Sequence, residues 1–186
     1  MGLYLTNLQY NMETKIRALE YILDCLIEWY KEQLRNDNYL TSFTKLKVIK
    51  LLFFVSAVNA TKDNVGLLNI FNRFVAMPFG PVESDIYNQI NISNIGKYTI
   101  SDRSLSVGEE EQVILEDDIR VQIDNSIQRL KEINPALVGY TAFELVDLSH
   151  KWSCWQVAYN YALQLNKGSF SIPNQLIVES DKYYQI

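Results

Sequence analysis

The sequence is poor in the residues that most enzymes and secreted proteins rely on. It has one histidine, two cysteines, seven glycines and four prolines in 186 residues. A single histidine, His150, rules out any zinc site that needs two, and Cys25 and Cys154 share no metal-ligand spacing. The cysteines stand far apart and follow no secretory signal pattern, so a reducing compartment is expected, with no cofactor. The glycines are scattered singly, which excludes a glycine-rich phosphate loop. The longest apolar run, residues 48–58, is interrupted by Lys50 and Ser56 and is too short to span a bilayer, which takes about 20 residues.

Charge is also unevenly spread. Seventeen basic and twenty-two acidic side chains give a net charge of −5. Between Glu83 and Glu132 eleven acids face five bases, and the rest of the chain is close to neutral. With no basic stripe anywhere, the chain lacks the cation density that nucleic acid requires. At 48% apolar and 21% charged residues it is instead an ordinary globular protein, expected in the cytoplasm.

The periodicities predict a mainly α (α+β) fold: a compact multi-helix domain with one short antiparallel β-hairpin. An N-terminal extension, 1–12, precedes a single domain, 13–186. Ile16, Leu19, Leu23, Leu26, Ile27, Tyr30 and Leu34 recur at steps of three and four, forming the inner face of a helix from Glu13 to Leu34. After Asn36-Asp37-Asn38, Ser42 or Thr44 can cap a helix from Lys45 to about Asn59 that is apolar nearly all round and belongs at the centre. Residues 71–82, with Pro78, Gly80 and Pro81, read as a stiff apolar loop leading into a helix from Glu83 to Ile90. Alternating runs at 98–101 and 104–107 around Asp102-Arg103 predict the hairpin. A further helix runs from Asp117 to Ile133, its inner face being Ile119, Ile123, Ile127 and Leu130. Thr141 with Glu144, and Ser153 with Gln156, are spaced as capping boxes for two helices, and Ser171 is placed to cap a last one through Glu179.

His150 and Cys154, four apart, are the minimum for a thiol with its base, but the helix is broken between them, so a core thiol is the stronger reading. Three features suit protein binding. The acidic run Glu109, Glu110, Glu111, Glu116, Asp117 and Asp118 could dock a basic partner or serve only as a solvated helix lead-in. Trp152, beside Trp155 at a helix junction, suits an interface and a core equally. Phe79-Gly80-Pro81 forms a rigid corner, read first as a packing device.

Three longer stretches are more specific. Leu46-Lys47-Val48-Ile49-Lys50-Leu51-Leu52-Phe53-Phe54 resembles the opening signature of the Panacea domain, which reads roughly Leu, Lys, Leu, Gln, Lys, Leu, Leu, Tyr, Phe. Phe79-Gly80-Pro81-Val82 with Ile86-Tyr87 is similar to its second signature, and Ala142 to His150 with Trp155 to its third. Order and spacing agree from about Lys15 to Glu179, while Ile49 replaces the usual glutamine and Ser153-Cys154 a common proline. The resemblance, to SocA-like antitoxins and GepA-like phage-associated proteins, implies a bacterial or phage-encoded antitoxin that is not an enzyme. Such a protein neutralises a cognate protein toxin by direct binding, or alternatively acts as an adaptor delivering a client to a bacterial protease. A cysteine-dependent hydrolase is the alternative from another class. The signature positions Lys47, Lys50, Gly80, Pro81, His150 and Trp155 are expected to hold the shared scaffold together.

Overall fold

In a computed structural model the described residues are 10–35, 37–109 and 114–185. Their order is α1 (Met12–Leu34), α2 (Tyr39–Ser42), α3 (Lys45–Ala57), β1 (Phe74–Met77), β2 (Gly80–Glu83), α4 (Ser84–Ile92), β3 (Tyr98–Ile100), β4 (Leu105–Val107), α5 (Asp117–Ile133), α6 (Ala142–His150), α7 (Ser153–Gln164), β5 (Phe170–Ser171) and α8 (Asn174–Glu179). Short 3₁₀ turns lie at Gly66–Asn69 and Leu137–Gly139. The fold is mainly helical with two small antiparallel sheets, one of them the expected hairpin β3–β4. Among the described residues no helix is long and apolar enough to cross a membrane.

Helix α3 lies at the centre, buried from Lys47 to Ala57. Thr44 caps it, its hydroxyl accepting from the Lys47 amide. At the other end the Lys182 ammonium donates to the carbonyls of Ala57 (2.7 Å) and Ala60 (2.6 Å), satisfying groups that a helix end leaves open. Around α3 an aromatic cluster sets the core: Trp152 lies 4.9 Å from Phe53 and 5.6 Å from Tyr184, edge to face. Such pairs contribute about 0.5–1.5 kcal/mol each beyond their buried area.

Segment 71–82, expected as a loop, instead contains a tight β-hairpin, with Val75 facing Val82 and Met77 facing Gly80. Pro81 is tolerated because β2 is an edge strand in the order β2-β1-β5. The other edge is closed by β5, so Ser171, expected as a helix cap, pairs with Val75 instead, and Pro173 precedes α8. Glu83 caps α4 rather than opening it. Its buried carboxylate accepts from the Ile86 amide (2.8 Å) and from the Lys15 ammonium (2.6 Å), tying α1 to the hairpin's end. The Thr141–Glu144 capping box forms, but Ser153 and Gln156 make none; the Ser153 hydroxyl contacts Ser180, and Gln156 donates to the His150 carbonyl. Leu34, expected on the inner face of α1, is 39% exposed at the helix's last turn.

Candidate partner-binding face

The hairpin turn between β1 and β2 is gripped from three sides. From α3, fully buried Lys50 donates to the Pro81 carbonyl at 2.7 Å. Among the described residues no carboxylate pairs with this ammonium, and burial pushes it down to about 7. From α6, His150 comes up beside the Pro78 backbone, which favours its protonated form, and its Nε2 has no hydrogen-bond partner among the described residues. Burial, then the nearby Lys50, holds the imidazole below its ordinary value, so it is neutral at pH 7. From α7, the Trp155 indole donates to the Met77 carbonyl at 2.9 Å. His150 stacks on Trp155 at 3.8 Å, and Trp155 on Tyr159 at 5.1 Å.

Gly80 makes the close approach possible. Its φ is +95°, and a Cβ there would overlap the Ser149 hydroxyl and come within 3.1 Å of Lys50 Nζ. The three resembling stretches therefore converge: Lys50 from the first, Gly80 and Pro81 from the second, His150 and Trp155 from the third. Lys47 does not join them. It is buried elsewhere, donating to the Ser42 hydroxyl at 2.9 Å beneath the rings of Tyr30 and Phe43. Desolvation takes it down to about 8, partly offset by Glu144.

What this clamp holds out to solvent is apolar. Phe79, at the tip, is 58% exposed and Phe143, in the first turn of α6, 65%; their rings meet edge to face at 6.5 Å. Beside them lies a groove of about 480 Å³ lined by Leu46, Ile49, Met77, Val82 and Tyr87. The Lys45–Asp102 ion pair, at 2.8 Å, closes its polar end. Two adjacent exposed phenylalanines on a rigid support form the kind of aromatic anchor that carries binding energy in protein interfaces. Sequence reasoning reads Phe79 as packing and passes over Phe143. The available signal is phase: Leu145, Leu148 and Ser149 form the buried side of α6, and Phe143 falls off it.

The other candidates fall elsewhere. Trp152 is wholly buried, with 0% accessibility, which corrects its reading as a contact residue. Glu109, Glu116, Asp117 and Asp118 are exposed, the last two in the first turn of α5 where the helix dipole favours them. Glu110 and Glu111 lie outside the described residues. The Cys154 thiol is buried and pushed up by desolvation, the reverse of what a thiolate nucleophile needs.

Fold and clamp together define a mainly helical domain built to hold one β-turn rigidly at its surface. Residues 48–156, more than half of the chain, match the family model described as Antitoxin SocA-like, Panacea domain, and the chain belongs to that family. No curated protein and no solved structure matches the chain.

Proposed function

We propose that the chain is an antitoxin that neutralises a cognate protein toxin by direct contact, and that the face built on Phe79, Phe143 and the adjoining groove makes that contact. Family membership supports a protein partner. The reading is carried by the pairing of two exposed phenylalanines with a clamp in which buried Lys50 and half-buried Trp155 each hold a carbonyl at or beside the turn and half-buried His150 stacks on Trp155. A turn fixed in advance avoids the ordering cost of about 0.5–1.5 kcal/mol per immobilised side chain that weakens floppy interfaces. Glu109, Glu116, Asp117 and Asp118 belong to neither the clamp nor the groove lining and would act at most on the encounter rate.

Co-expression in a bacterial host with the product of the adjacent reading frame tests the reading. The intact chain should restore growth, and the double variant Phe79→Ser, Phe143→Ser should not, although both side chains are too exposed for their loss to unfold the protein. Growth arrest that the intact chain fails to relieve would count against neutralisation.

A further inference from the structure

The outer side of α7 carries no charge. From Trp152 to Val178 the single charged side chain is Lys167, so the rest of the chain carries −6, against −5 for the whole. Inward, α7 buries Cys154, Ala158 and Ala162. Outward it presents two neighbouring rows at a spacing of four. One is Gln156, Asn160 and Gln164; the other is Val157, Tyr161 and Leu165, which are 56%, 47% and 42% exposed. Among the described residues only Gln156 of the three amides has a side-chain hydrogen bond, to the His150 carbonyl at 2.8 Å.

We propose that this face is a self-association surface whose partner is a second copy of the chain, docked with its α7 antiparallel across a two-fold axis. Charge selects that partner. Two copies of a chain that carries −5 repel each other least where the contact adds no charge, as on this face. The face also matches itself. Each amide is both donor and acceptor, so a row of amides can pair with its own copy. An axis passing near Asn160 and Tyr161 sets Gln156 against Gln164 of the partner subunit and Val157 against Leu165 of the partner subunit, the same patch serving both sides as a two-fold contact requires.

The helix is ready to make such a contact. The Trp155 indole and the Cys154 amide are tied to Met77 and Ser180, both at 2.9 Å, and the Tyr161 ring stands edge-on to Phe170 at 4.7 Å. Little remains to be ordered on docking. At 1.5 Å per residue the 12-residue helix is about 18 Å long, so the contact is smaller than the usual interface of about 800 Å² per partner, and a weak, reversible dimer with a Kd on the order of tens of micromolar is expected.

Sedimentation velocity of the full chain alone, from about 2 to 200 µM, gives the test at concentrations that bracket this affinity. The intact chain should pass from monomer to dimer. Tyr161→Glu, which brings two carboxylates together at the axis, should weaken the dimer at least tenfold, and Val157→Glu should do the same without touching Phe170. Circular dichroism melting confirms that both variants are folded. A chain that stays monomeric across the range overturns the proposal, as does a dimer indifferent to both substitutions. Should the intact chain be monomeric and Tyr161→Glu abolish capture of the adjacent gene's product, the face belongs to the toxin and the proposal is likewise overturned. Growth rescue does not depend on this result, so the two readings fail separately.

Discussion

Lys50 makes a pH dependence of stability that can be worked out in advance. In the unfolded chain a lysine keeps its proton up to about pH 10.4, but in the fold burial lets Lys50 lose it near 7. Between those values the unfolded state binds more protons than the native state, so the free energy of unfolding rises with pH, by up to about 1.4 kcal/mol per unit. From pH 6 to 8.5 the gain from this one group integrates to about 2 kcal/mol. The other groups bound the window. His150, held down, adds only below its ordinary 6.5, and Lys47, at about 8, adds a smaller rise above pH 8. Cys25, pushed up to about 11, and Cys154 act in the opposite sense above pH 9, where the unfolded thiols ionise first. Urea denaturation at fixed ionic strength across pH 6 to 8.5 should therefore show stability climbing in the intact chain. In Lys50→Met most of that climb should vanish, while the stability at pH 7 shifts by the balance between the desolvation cost that Met escapes and the Pro81 carbonyl that it leaves without a donor. Parallel curves for the two proteins would refute the reasoning.

Trp155→Ala removes the stack on His150 and leaves the Met77 carbonyl without its donor, a loss of about 3 kcal/mol. For a chain of this size the melting temperature should fall by about 6–12 °C in calorimetry; an unchanged melt together with lost partner binding would assign Trp155 to the contact itself. Gly80→Ala should cost about 2 kcal/mol or more in chemical denaturation, from the positive φ and from overlap with Ser149. Adding Ser149→Ala should recover part of that loss, and full recovery would show that the backbone conformation imposes no cost.

Much of this molecule is legible from local pattern, and the exceptions share one cause. Helices α1, α3 and α5 follow from apolar spacing because each buries one side or all of itself, and the β3–β4 hairpin follows from alternation around a short turn. The β1–β2 hairpin is hidden because Pro78, Gly80 and Pro81 look like breakers; what lets a strand include or adjoin them is their place at a sheet edge and at its turn. Its third strand, β5, is two residues long and reaches Val75 from nearly a hundred positions away, which no local window detects. The candidate site divides in the same way. Resemblance singles out Lys50, Gly80, Pro81, His150 and Trp155, but that they meet at one turn depends on α3, α6 and α7 packing around it. Trp152 can be read either way from sequence, and only its neighbours Phe53, Phe54 and Tyr184 place it in the core.

Isothermal titration of the purified chain with the protein encoded by the adjacent reading frame tests most directly whether the clamped turn exists to present a docking surface. Saturable binding is expected, weakened by about 30-fold or more for each of Phe79→Ser and Phe143→Ser, as loss of about 2 kcal/mol at an interface anchor implies. The melting temperature of both variants should stay within a degree or two of the parent. Binding that survives the double substitution intact would contradict the assignment of this face.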